Sequence, residues 1–150
     1  VGSFIMAQAA GRLMAARGSD AIVNITSLNA IAVSPDAGAY PASKAAVAKL
    51  TEQLALALAP KGVRVNAVGP GFIDAGMSSP IYEDPEVKKA RGASVPAGRI
   101  GEAAEVAEAV AFLASERASY IHGQHILVDG GVSFSLKQQM PRKAPKKAEK

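Results

Sequence analysis

The sequence contains no cysteine, no tryptophan and only two histidines. Without cysteine, disulfide staples and thiolate metal sites are excluded. The two histidines, His122 and His125, share one short segment and leave too few ligands for a zinc enzyme, so no metal is expected. No apolar run reaches membrane-spanning length, and no membrane partner is expected. No basic stretch precedes an apolar core at Val1, so a secretory signal is not visible. A cytoplasmic location is the expectation.

The formal net charge of +4 divides unevenly. Six of the seventeen Lys and Arg fall in residues 137–150, with one acid, Glu149. The other 136 residues hold eleven bases against twelve acids, a net charge of −1. The basic character is a tail, and nucleic-acid binding by the folded body loses its main support. The tail is rich in Lys, Pro and Ala with little to bury, and it is predicted to be disordered. The body, residues 1–136, is read as one unit.

Within the body, helical and strand-like patterns alternate. Residues 4–16 carry Phe4, Ile5, Ala9, Leu13 and Ala16 at helical spacing, with Gly18 as a stop. AIVNIT (21–26) reads as a strand buried on both faces. Residues 28–38, with Pro35 and Gly38, read as a loop. Residues 39–59 form a long helix candidate with Val47, Leu50, Leu54 and Leu58 as its stripe. VRVNAV (63–68) is a second strand. Residues 69–98 are rich in Gly, Pro and Ser and are too long for a plain connection; a flap with a helical piece at 85–91 is expected. Residues 102–115 form an amphipathic helix using Val106, Ala109, Val110 and Leu113, and 124–128 form a third strand. Strands separated by helices predict an α/β fold with a parallel sheet of about three strands and flanking helices.

Tyr40 and Lys44, in the string YPASK, stand four apart at the start of a helix and share a face. A lone tyrosine is a poor base near neutrality, since a phenol ionises near pH 10. A cation about 4 Å away supplies about 4 kcal/mol to a phenolate at an effective dielectric near 20. Such a pair is therefore a candidate general acid/base. Ser27 ends the first strand thirteen residues before Tyr40, and Pro70-Gly71 ends the second. In open α/β sheets, ligands gather at the carboxyl ends of the strands. Read singly, Ser27 is a loop-starting hydroxyl and Pro70-Gly71 a turn. Their joint order and spacing point to a site.

Taken together, these strings resemble the short-chain dehydrogenase/reductase family, close to its 3-oxoacyl-(acyl carrier protein) reductases and sugar or alcohol dehydrogenases. The matching segments are IVNITS (22–27), YPASKAAVAKLTEQLALALAPKGVRVNAVGPGFID (40–74), GRIGEAAEVAEAVAFLAS (98–115) and GQHILVDGG (123–131). The resemblance is to the C-terminal part of a doubly wound, Rossmann-like domain, with the N-terminal half of the fold absent. It implies NAD or NADP as cofactor and a small carbonyl or alcohol as substrate. Tyr40 is then the acid/base, and Ser27 holds the substrate oxygen. Lys44 favours the Tyr40 phenolate and bonds the nicotinamide ribose. Pro70, Gly71 and Ile73 line the nicotinamide, with the Ile73 backbone at its carboxamide. A homo-oligomer through the long helices and the last strand is implied as well.

The departures from the family pattern are specific. No G-x-G-x-x-G turn between a strand and a helix occurs in these residues, and the residue that selects NAD or NADP is not among them. The family's catalytic Asn is expected just before a Gly-x-Phe such as Gly2-Ser3-Phe4. Position 75, usually Thr in the family, is Ala75. Met77, Ile81 and Tyr82 in the flap are candidates either for a substrate pocket or for lid packing. Asp129 is read as a turn residue. A second functional reading is a catalytically inactive remnant that serves only as an assembly module.

Overall fold

Gly18 stops the first helix, α1 (Gly2–Arg17): its φ of 77° is left-handed, and its N–H returns to the Met14 carbonyl 3.1 Å away. Only glycine adopts that conformation without a steric cost. The structure, a computed structural model, describes residues 1–135. The predicted disordered tail, 137–150, lies outside the described residues.

After α1 come β1 (Asp20–Ile25), α2 (Tyr40–Leu58), β2 (Val63–Pro70), β3 (Ile73–Asp74), α3 (Pro85–Ser94), β4 (Gly101–Glu102), α4 (Ala103–Ala114) and β5 (His125–Val128). The main sheet is parallel, in the order β1-β2-β5. Asp20 to Ile25 align with Val63 to Val68, and Ala67 to Pro70 with His125 to Val128. The expected three-stranded α/β architecture is therefore the one observed. The central strand β2 is buried from Val63 to Gly69, the pattern of a strand covered on both faces.

Alternation along β2 sends side chains into two cores. Val63 and Val65 pack with Ala55 and Leu58 of α2, against Met14 of α1 and Ile22 of β1. Val68 packs on the opposite face with Leu113 of α4, beside Val23, Val106, Val110 and Ile126. The result is three layers, with α1 and α2 on one side of the sheet and α4 on the other. The predicted apolar face of α4 is the buried one.

Two helix faces differ from the expected stripes. In α1 the buried residues are Ala7 and Gly11, whereas Phe4, Ile5 and Leu13 are exposed. Close packing explains this: a Cβ on Gly11 would stand 2.9 Å from Leu58 Cδ1, so only the small face of α1 fits against α2. In α2 the deeply buried positions are Thr51, Ala55 and Leu58. Thr51 tolerates full burial because its hydroxyl donates to the Val47 carbonyl at 2.9 Å and accepts from Asn24 Nδ2 at 2.9 Å.

The flap is more ordered than its composition indicates. It contains a 3-10 turn at Gly76–Glu83 and then α3, which is capped by Asp84 accepting from the backbone of Glu86 and Val87. β3 also pairs in parallel with β4, Ile73 with Gly101 and Asp74 with Glu102. Strands of two residues are too short to leave a period in the sequence.

Candidate active site

The candidate residues stand at the carboxyl edge of β1 or β2, on the first turns of α2, or, for Ile73, on β3. Ser27 stands two residues past the end of β1 and is buried. Its Oγ accepts from the Asn29 backbone N–H at 3.1 Å, so the hydroxyl also caps the turn at Leu28–Ala30. The hydroxyl's own proton and second lone pair remain for another partner. The neighbouring Thr26 hydroxyl donates to the Val68 carbonyl at 3.0 Å and ties the ends of the two strands together.

Tyr40 opens α2, with Pro41 pre-set for the first helical turn. Lys44, one turn on, reaches back across the strand end. Its Nζ donates to the Ile25 carbonyl at 3.2 Å and lies 5.6 Å from the centroid of the Tyr40 ring. The ammonium thus faces the ring, at cation–π distance, with one donor spent on the strand.

Pro70 ends β2, and Gly71 donates its N–H to the Val128 carbonyl at 2.9 Å. A Cβ on Gly71 would stand 2.6 Å from the Asp129 Cα, so the close approach of the turn after β5 requires glycine here. Asp129 accepts from the N–H groups of Gly131 and Ser133 at 2.9 and 3.0 Å and from the Ser133 hydroxyl, a turn role as expected. Burial works to raise its pKa, but those hydrogen bonds overcome it and hold the carboxyl below its ordinary value.

All six predicted residues, Ser27, Tyr40, Lys44, Pro70, Gly71 and Ile73, line one cavity of ≈ 370 Å³. Ala75 is on the same wall, where it offers no side-chain hydrogen bond. Of the flap candidates, Met77 lines this cavity, Ile81 lines a neighbouring one, and Tyr82 is buried. Sequence reasoning did not find Ile25, Thr26, Ser78, Ala103 and Val106, which complete the lining. Ala103 and Val106 arrive there through the β3–β4 pairing, which left no signal in the sequence.

Arg64 was also missed. Its buried guanidinium donates to four carbonyls at the end of α4 and just beyond: Leu113 at 2.6 Å, Ala118 at 3.2 Å, Ala114 at 3.2 Å and Ser115 at 3.0 Å. A cation at a helix C-terminus satisfies orphan carbonyls and opposes the helix dipole. It anchors α4, whose first turns line the cavity.

The described residues include no group of three or more His, Asp or Glu placed to hold a metal. His125 Nε2 lies 2.5 Å from Thr26 Oγ1, and burial lowers the His125 pKa. No helix among the described residues is long and apolar enough to cross a membrane.

The family model described as Enoyl-(Acyl carrier protein) reductase matches residues 1–133. Galactitol 2-dehydrogenase (L-tagatose-forming) of Cereibacter sphaeroides is 45% identical over 132 residues, which are 87% of this chain and 52% of that protein. The chain belongs to the short-chain dehydrogenase/reductase family. 2-Dehydro-3-deoxy-D-gluconate 5-dehydrogenase of Bacillus subtilis is another relative, 41% identical over 85% of this chain and 50% of its own length. Among solved structures, a gluconate 5-dehydrogenase from Burkholderia cenocepacia in complex with NADP and tartrate superposes with a TM-score of 0.85 at 33% identity, covering 90% of this chain and 53% of that one. The chain therefore spans about half the length of the dehydrogenases it matches.

Proposed function

We propose that this chain carries the proton-transfer side of an NAD- or NADP-dependent oxidoreductase that interconverts a carbonyl and a secondary alcohol. The observation that carries the reading is the convergence of Ser27, Tyr40, Lys44, Pro70, Gly71 and Ile73 on one cavity. In reduction, the Tyr40 hydroxyl gives its proton to the carbonyl oxygen; in oxidation it takes that proton back. The Ser27 hydroxyl holds the oxygen beside Tyr40. The Lys44 ammonium stabilises negative charge developing on the phenol oxygen and leaves donors for a ribose hydroxyl.

The residues fit the nicotinamide end of a dinucleotide. The cavity volume lies within the range of small-molecule sites, about 300–1,000 Å³. Its Pro70-Gly71 wall is close to bare backbone, and Lys44 supplies a cation at the helix start. Pro70, Gly71, Ile73 and Lys44 would hold that ring and its ribose. The nicotinamide, when bound, supplies or accepts the hydride. Names among the relatives point to polyols and sugar acids as substrates, and the Burkholderia structure holds NADP. We take a small hydroxylated compound as the substrate class.

A second reading rests on the exposed apolar face of α1, where Phe4, Ile5 and Leu13 stand in solvent. A second copy of the chain covering that face, with β5 meeting its mate, would make the chain an assembly module. As an isolated polypeptide the chain is expected to lack normal turnover, because these 150 residues hold no glycine-rich turn for a pyrophosphate. Titration of the purified chain with NADH and NADPH separates the readings. Saturable binding in the micromolar range contradicts a mere assembly module, and no binding at all contradicts autonomous catalysis.

A further inference from the structure

Beside the Tyr40 cavity lies a larger one of ≈ 880 Å³. The two share walls one residue thick. Ser27 lines the first and Leu28 the second; Gly71 and Ile73 line the first, with Phe72 between them lining the second. These consecutive residues set the two cavities side by side at both points.

One cation lines that second cavity, Arg91 of α3. Its guanidinium lies 5.6 Å from the centroid of the Phe72 ring and 5.7 Å from that of Tyr82. Tyr82 is buried, so the planar group rests on fixed aromatic surface. Among the described residues, no carboxylate pairs with Arg91; the four ion pairs use Arg17, Lys49, Lys88 and Arg99. A guanidinium braced by two rings keeps its fork of donors unspent, and that fork matches the two oxygens of a carboxylate. Asp36 on the same wall opposes a second negative charge and can accept from hydroxyls, as can Asn29 and Ser34. That combination favours a monoanion with hydroxyl groups over a dianionic phosphate.

We propose that Arg91 is a specificity-determining residue that binds the carboxylate of a hydroxylated acid while its carbonyl or alcohol carbon lies in the Tyr40 cavity. The placement of the reacting carbon in the Tyr40 cavity rests on the oxidoreductase reading. The carboxylate subsite stands on binding alone.

The test is calorimetric titration of the wild-type chain, with and without oxidised dinucleotide, using D-gluconate and its neutral amide, D-gluconamide. Wild type is expected to bind the acid at least about tenfold more tightly than the amide, the worth of one charge-assisted pair. Arg91→Gln removes that preference and leaves the amide affinity unchanged; Arg91→Lys, which keeps the charge without the fork, restores part of it. Circular dichroism of both variants matching wild type confirms that α3 has formed. Equal affinity for acid and amide in wild type, an undiminished preference in Arg91→Gln, or no binding of either compound overturns the proposal. Failure of the oxidoreductase reading shows elsewhere, as turnover that is indifferent to Tyr40→Phe, and leaves these affinities where they are.

Discussion

The Lys44 ammonium stands 5.6 Å from the centre of the Tyr40 ring while donating to the Ile25 carbonyl at 3.2 Å. One side chain thus joins the first turns of α2 to the end of β1, and the ring of the candidate acid/base is placed relative to the sheet edge. Replacing Lys44 by Met removes both the charge and the strand contact. The carbonyl-reduction rate is expected to fall by about tenfold or more, with Lys44→Arg retaining part of it. Steady-state kinetics on the form of the protein that shows carbonyl reduction check this, and an unchanged rate in Lys44→Met contradicts the assigned role.

Gly71 links the cavity to the turn after β5. Its missing Cβ is occupied by Asp129, whose Cα would lie 2.6 Å away. Gly71→Ala must push backbone against backbone, and a cost of about 1–3 kcal/mol in urea unfolding is expected. The affinity for dinucleotide should fall with it, because Gly71 lines the cavity wall.

Among the described residues, no carboxylate pairs with the buried Arg64 guanidinium; four carbonyls hold it. Arg64→Met strips the Leu113 and Ala114 carbonyls of this donor, while those of Ser115 and Ala118 keep the backbone N–H groups of Ala118 and Ile121; a destabilisation of about 1–3 kcal/mol is expected. The acceptors are already spoken for by a charged donor, so this loss should exceed that of Lys49→Met, whose ion pair with Glu52 is exposed. Chemical denaturation of the two variants gives the comparison.

Glu105 has a pKa held down to about 2, first by its hydrogen bond from Arg99 and then by the Glu102 backbone N–H. Its folded value lies below its unfolded one, about 4.3. The carboxylate therefore stabilises the fold above that range, and the contribution is lost as pH falls from about 4 toward 2. Glu105→Gln is expected to flatten the acid limb of the stability–pH curve across that window. A variant that keeps the wild-type slope between those values contradicts the assignment.

How much of this was legible depended on the length scale of the signal. The parallel sheet and the face of α4 showed because apolar spacing over many residues marks elements of that size. The candidate set was legible because Ser27 and Pro70-Gly71 follow strands and Tyr40 and Lys44 open a helix in an order that resembles the family's; their meeting on one cavity is what the fold adds. The stripe of α1 misled, since Phe4, Ile5 and Leu13 follow helical spacing although only Ala7 and Gly11 are small enough to face Leu58. Thr51 was hidden by its polarity, which Asn24 and the Val47 carbonyl neutralise in space. Ala103 and Val106 reach the cavity through a two-residue pairing of Ile73 with Gly101, a contact that exists only in three dimensions.

The central claim is that the Tyr40 hydroxyl moves the proton. Its most direct test is Tyr40→Phe in the form of the protein that shows carbonyl reduction, which keeps the ring on which Lys44 rests and removes one oxygen. Carbonyl reduction is expected to fall by about 10²–10⁴-fold, with dinucleotide affinity close to wild type. A variant that reduces the same carbonyl at a near wild-type rate contradicts the account.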